Sequence, residues 1–222
     1  MNRKRIAPDG SCLFTSVDFL ATGEERAGAA DELRLVCVTA IKADPIFFTI
    51  DQLGEGKSTV EEYCDWLLDR HTYGGGNEIK ILALHYNLTI VVWSCIPFTN
   101  ACMLARYTPT ASSTSIGTVH LLYTGQHYDA IVSADGRRIF GAEGEAVDEA
   151  AAQQLAQQVK DERELELRTR IRKRLQCSCG VVCTTSSDWQ AHCEDIHSND
   201  AEFDYLCTEI EVLEVVATEQ QD

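Results

Sequence analysis

The order of its periodic segments is the strongest constraint on this chain: helical runs come first and strand runs follow. Cys12-Leu13-Phe14 opens an apolar-periodic run to Leu20, directly after the turn cluster Pro8-Asp9-Gly10-Ser11. Ala29 to Ile41 places Leu33, Val36, Cys37 and Ala40 at helical spacing, and Val60 to Arg70 puts Tyr63, Trp66 and Leu67 on one face. Gly74-Gly75-Gly76 breaks the chain, and Asn77 then stands where it can cap a helix running to about Tyr86. Thr89 to Trp93 reads as a buried strand by its β-branched content. Thr118 to Tyr123 and Tyr128 to Val132 flank Thr124-Gly125-Gln126 as a hairpin, while residues 98–115 read as irregular. Helices followed by strands predict an α+β domain with a small sheet.

With 222 residues, 45% of them hydrophobic, the chain can form one catalytic-sized domain and a small appendage. Composition shifts after Gly141. Ala146 to Leu175 lacks Gly and Pro and predicts a long helix, too sparse in apolar positions for a sustained heptad. The expected organisation is a catalytic domain over 1–140, a helical linker over 141–175 and a small unit over 176–215, with a frayed tail from Thr218. A net charge of -16 argues against nucleic acid as the main partner, because phosphate binding needs clustered Lys and Arg. No run is long enough to span a membrane, and the basic N-terminus lacks the apolar segment of a secretory signal. A soluble, cytoplasmic protein with mostly reduced cysteines is the expectation.

A catalytic thiol needs a depressed pKa, a base within reach and donors for an oxyanion. Cys12 sits where a turn becomes a helix, so the helix dipole is expected to lower its pKa. The N–H groups around Gly10 to Cys12 are candidates for the oxyanion, and Gly10 permits close backbone approach. His85 and His120 occupy packing positions, whereas His127 stands at the mouth of the hairpin. Residues two apart on a strand share a face, so Asp129 is placed to orient the His127 imidazole. Spacing alone favours a buried structural cysteine at Cys12, which is the commoner case. The stretch Gly54-Glu55-Gly56-Lys57-Ser58 superficially matches a phosphate-binding loop, but Asp51 occupies the position that needs glycine.

Asp9-Gly10-Ser11-Cys12-Leu13-Phe14 and His127-Tyr128-Asp129 resemble the two catalytic motifs of the OTU (ovarian tumour) family of deubiquitinases. The middle agrees over Tyr63-Cys64-Asp65-Trp66, Thr72-Tyr73-Gly74-Gly75, Glu78-Ile79 and the Ile90-Val91-Val92 strand, although Tyr73 stands where the family usually has Trp. The resemblance spans about residues 5 to 135 and implies a papain-like OTU fold with a small central sheet flanked by helices. It implies a thiol isopeptidase acting at the C-terminus of ubiquitin, on polyubiquitin chains and ubiquitinated proteins, with no cofactor for catalysis. Cys12 is then the nucleophile and His127 the base. Asp9 matches the family's active-site acid, with a structural role in shaping the cysteine loop as its alternative and Asp129 as the competing orienting carboxylate. Tyr73, Gly74, Gly75 and Tyr128 become candidate walls of the channel for ubiquitin's Gly-Gly tail.

The C-terminal stretch carries a second constellation. Cys177 and Cys179 precede His192 and His197, with twelve residues between Cys179 and His192 and four between the histidines. Both spacings fit a ββα zinc finger with a structural zinc. The single residue between the cysteines departs from the pattern, so Cys183 and Cys193 are rival ligands. An OTU domain followed by such a finger resembles the YOD-type ubiquitin thioesterases. Those carry an N-terminal ubiquitin-like module that docks an AAA ATPase; here the catalytic motif begins near the start, and no link to that ATPase is expected. The acidic finger is expected to bind ubiquitin or a partner. A catalytically silent adaptor acting through that finger, or a protease for a ubiquitin-like modifier, are the alternatives.

Overall fold

The structure, a computed structural model, describes residues 1–109, 115–141, 144–168, 171–177, 179–183, 191–192 and 207–213. The chain divides into two units, Met1–Asp161 and Glu162–Asp222. The first runs β1 (Asn2–Lys4), α1 (Cys12–Thr22), α2 (Ala29–Ala43), α3 (Ile50–Leu53), α4 (Val60–Leu68), α5 (Gly76–Tyr86), β2 (Thr89–Ser94), β3 (Cys102–Tyr107), β4 (Thr118–Tyr123), β5 (Tyr128–Val132) and α6 (Glu145–Arg168), the last crossing the division. Local chemistry sets several boundaries. Thr59 Oγ1 accepts from Glu62 N at 3.1 Å to cap α4, and left-handed Gly23 closes α1 by donating to Phe19 O at 2.8 Å.

Five strands form one sheet in the order β1-β5-β4-β2-β3, with β2 and β4 parallel and the other pairs antiparallel. Every residue of β2 is buried, and the pleat sends its side chains alternately to two cores. Ile90 and Val92 join Val119, Leu121 and Ala130 beneath Phe14, Val17, Ile41 and Leu82 of the helices. Val91 and Trp93 join Leu122 and Ile131 on the other face, covered by Ala152, Leu155, Ala156 and Val159 of α6. Each such side chain contributes about 1.5–3 kcal/mol by leaving water. The sheet is thereby held rigidly between two layers.

Three expectations change here. The segment expected to link from 141 to 175 starts as part of the first unit, because its Ala152–Val159 stripe closes the second core; it also gives way to a strand at Ile171. Within 98–115, Cys102–Tyr107 is a strand paired antiparallel with β2. It is an edge strand with Met103 and Leu104 exposed, held by its backbone ladder, so no buried alternation announced it. His85 is exposed at the end of α5, with its ring edge-on to Tyr86. His120 is buried as expected. Its Nδ1 accepts from Trp93 Nε1 at 3.2 Å, and burial pushes its pKa down to about 4.

The second unit contains a three-stranded antiparallel sheet, β7-β6-β8, built from β6 (Ile171–Cys177), β7 (Val182–Cys183) and β8 (Cys207–Leu213). Cys177 lies opposite Cys207 in the β6–β8 ladder. Residues 191 and 192 are helical. The expectations for Cys193, His197 and the tail from Thr218 lie outside the described residues.

Candidate active site

The loop before α1 delivers Cys12 as the first residue of that helix. Asp9 Oδ1 accepts from Ser11 N at 2.9 Å and Asp9 O from Cys12 N at 3.3 Å, a turn that side chain and backbone close together. Gly10 packs so tightly that a Cβ there would meet Arg70 O at 2.5 Å. With its N–H bound to Asp9, Ser11 is no oxyanion donor; Gly10 N–H, which makes no hydrogen bond among the described residues, and the long-bonded Cys12 N–H are left for that role.

Cys12 is 1% exposed, and burial pushes its thiol pKa up from the ordinary 9.0. The backbone N–H groups of Tyr128 and Leu13 favour the thiolate, while the charges of Asp9 and Asp129 oppose it. The depression expected from the helix N-terminus is therefore outweighed by burial.

The imidazole expected to serve as the base lies at the hairpin. Thr124 N donates to His127 O at 3.0 Å, closing the turn that leads into β5. His127 Nε2 lies 3.1 Å from Asp129 Oδ1, which leaves Nδ1 as the nitrogen able to accept a thiol proton. Asp129 is fully buried. Its Oδ1 also accepts from Ile6 N at 2.7 Å, and its Oδ2 accepts from Arg3 Nε at 2.7 Å and Nη2 at 2.6 Å. Ser16 Oγ donates to Tyr128 O at 3.2 Å, tying α1 to the strand that carries the imidazole. The carboxylate on the histidine is thus Asp129. Asp9 lines a separate depression of about 300 Å³ with Ser11, Arg70 and His71, and its bond to Ser11 gives it the loop-shaping role. Arg3 escaped sequence reasoning, since nothing local ties it to a partner 126 residues away.

Cys12 opens onto a cleft of about 700 Å³ that Tyr73, Gly74, Gly75, Trp66 and Tyr128 also line. A Cβ on Gly74 would sit 2.7 Å from Leu13 Cδ2 and 3.0 Å from the Phe14 ring. The next residue is pinned from below. Gly75 N donates to Glu78 Oε2 at 2.7 Å, and Tyr63 Oη donates to Glu78 Oε1 at 2.7 Å. Tyr73 is 63% exposed at the rim, and Tyr128 packs on Tyr123 with ring centroids 4.6 Å apart. All four residues expected to form the channel are brought together.

In the second unit, Cys179 Sγ and His192 Nε2 lie 3.3 Å apart. Two such donors on a tetrahedral zinc stand ~3.5 Å apart, so this pair fits the metal. Cys183 is buried. Among the described residues no third His, Cys, Asp or Glu joins the pair, and His197 and the Cys177 side chain lie outside them.

No family model matches the chain. Curated relatives do: it is 33% identical over 132 residues to the ubiquitin thioesterase OTU1 of Mus musculus and 34% identical over 132 residues to that of Homo sapiens, 59% of this chain in both cases. With the Otu1 of Drosophila melanogaster the identity is 29% over 161 residues, 72% of this chain and 44% of the relative. The matches span 36% of the mouse and 35% of the human protein, about a third of their length. Among solved structures, an ovarian tumour (OTU) domain in complex with ubiquitin superposes with a TM-score of 0.62 at 20% identity, covering 73% of this chain and 88% of that one. The viral OTU domain protease from Taggert virus gives a TM-score of 0.51 at 15% identity, covering 64% and 84%. A helix-borne thiol, an imidazole just ahead of β5 and a mixed sheet between two helical layers, set beside these structures, give the first unit of this chain the fold of an OTU domain.

Proposed function

We propose that this chain is a deubiquitinating cysteine protease that hydrolyses isopeptide bonds at the C-terminus of ubiquitin. One observation carries the proposal: buried Cys12 opens into the same cleft as the close-packed Gly74-Gly75 corner, with the His127–Asp129 pair on the adjoining strand. The neighbouring solved domain bound to ubiquitin and the relatives named ubiquitin thioesterases support ubiquitin as the modifier.

In this mechanism His127 Nδ1 takes the Cys12 proton as the sulfur attacks the carbonyl carbon of the terminal glycine. The N–H groups of Gly10 and Cys12 receive the oxyanion. His127 then returns the proton to the departing lysine amine, leaving a thioester on Cys12. Water, deprotonated by the same imidazole, hydrolyses it. Asp129 holds the ring and stabilises the imidazolium.

In the second unit a structural zinc would be held by Cys177, Cys179, His192 and His197, forming a finger that binds ubiquitin or a partner. The approach of Cys179 to His192 supports this. The working compartment is the cytoplasm; no helix among the described residues is long and apolar enough to cross a membrane.

Incubation with a ubiquitin bearing a C-terminal electrophile, beside a Cys12→Ala control, tests the function. A covalent adduct lost in the control is expected. No adduct from folded, reduced, zinc-replete protein would sink the enzyme and leave the adaptor. Chelation tests the finger: the metal released should equal one zinc per chain, and zinc-free protein that is unchanged in its second unit would dismiss the site.

A further inference from the structure

Arg34 lies in α2, away from the reacting atoms, yet it is fully buried and meets the cysteine loop. Its Nη2 donates to Gly10 O at 2.8 Å and to Thr72 O at 2.6 Å, with Arg70 O at 3.3 Å; its Nη1 donates to Leu67 O at 2.7 Å. The guanidinium is stacked 4.4 Å over the Phe14 ring. Its hydrogen-bond partners among the described residues are carbonyl oxygens and, at 3.5 Å, the Ser11 hydroxyl. Among the described residues no carboxylate touches it, and its buried Nε has no partner. A buried cation answered there by carbonyl dipoles, a distant hydroxyl and a ring, with one donor unmet, is an expensive way to stabilise a fold. What the arrangement supplies is geometry.

We propose that Arg34 is a positioning residue for the oxyanion site. It fastens the loop that carries the Gly10 and Cys12 N–H groups to the segment that leads into the Tyr73–Gly75 wall of the cleft. The peptide planes on either side of Gly10 are then fixed by two bonds: Asp9 O is held by Cys12 N, and Gly10 O is held by Arg34. Gly10 itself cannot move away, because its Cα is pressed on the Arg70–His71 backbone. A planar fork suits this task, since it can hold two segments with separate nitrogens; a lysine ammonium brings only a point charge. Oxyanion donors act only when they lie within a few tenths of an ångström of the developing charge, so loosening this clamp acts on acyl transfer before it acts on substrate binding.

The inference rests on the function proposed above for its kinetic arm and stands apart from it for its structural arm. Arg34→Met and Arg34→Lys are compared with wild type by thermal melting. Turnover is followed on ubiquitin carrying a C-terminal fluorophore, Cys12 alkylation with iodoacetamide, and amide exchange over residues 9–12. Alkylation displaces iodide and builds no oxyanion, so it reports the thiol alone. The expected result for Arg34→Met is a fall in kcat of about 100-fold with KM and alkylation rate within about threefold, and faster exchange in the loop. Arg34→Lys, which can reach some of the carbonyls, should recover part of kcat and serves if Arg34→Met does not fold. A folded variant whose kcat stays within about threefold of wild type overturns the proposal, and so does a parallel loss of alkylation and turnover. A wild type inert on ubiquitin would sink the function instead; the exchange measurement then decides this inference, and unchanged loop protection would overturn it.

Discussion

The two loops that carry the proposed nucleophile and base are held by opposite means. The imidazole is fixed beside a strand: His127 directly precedes β5 and bonds Asp129 within it, and β5 is locked between β1 and β4. The cysteine loop has no ladder. Its Asp9 turn closes locally, and the rest of its shape comes from Arg34 and from the Arg70–His71 backbone beneath Gly10. The difference teaches where each half is vulnerable. The histidine side tolerates changes that leave the sheet alone, whereas the cysteine side depends on single long side chains arriving from elsewhere.

Four measurements can break or sharpen that contrast. The largest effect belongs to His127→Ala, which removes the base from a buried thiol whose pKa is already raised; kcat/KM should fall about 1,000-fold at neutral pH, checked on a fluorogenic ubiquitin substrate. A loss under tenfold would mean that another group deprotonates Cys12. Asp129→Asn comes next, at about 100-fold in kcat, with a lower melting temperature because Arg3 loses its carboxylate. Kinetics indistinguishable from wild type would return Asp9 to the orienting role.

His120 serves as the control histidine. Its pKa in the folded chain lies near 4 against an ordinary 6.5, so the unfolded chain binds the extra proton first as pH falls. The contribution is fully present above about pH 6.5 and is lost as pH drops towards 4, by about 3 kcal/mol at most. Urea midpoints measured from pH 7 to 4 should fall less steeply in His120→Gln than in wild type, while kcat changes little. The smallest effect is Asp9→Asn, which keeps an acceptor for Ser11 N and should leave kcat/KM within about threefold. A drop as deep as that of Asp129→Asn would show that the carboxylate charge of Asp9 itself takes part.

Legibility in the sequence followed the same divide. β4 and β5 match the bounds the sequence predicts, because two short apolar runs around a Gly-containing turn leave a local trace. The two-residue spacing puts Asp129 on the face of His127, yet the sequence leaves Asp9 as a rival for orienting the ring, and the contact itself appears only in the fold. The edge strand Cys102–Tyr107 left no such trace, since it buries little and is defined by its partner. Arg3 and Arg34 were invisible for a related reason: an arginine in a polar N-terminus or on a helix looks solvated until the fold brings carbonyls or a carboxylate to it. The thiol's raised pKa leaves no trace in the sequence, because a helix dipole can be inferred locally while burial by the folded chain cannot.

The short strand β1 has a consequence for how this molecule is made. Asn2, Arg3 and Lys4 pair with Val132, Ile131 and Ala130, and Arg3 reaches Asp129 across 126 residues. A ribosome therefore releases the nucleophile long before its base, and the first strand must wait for the last one of its sheet. Contacts of such sequence separation form late in folding. The nascent chain carries an ordinary, unassisted cysteine throughout that interval, so the proposed pairing of thiol and imidazole arrives only as the sheet closes.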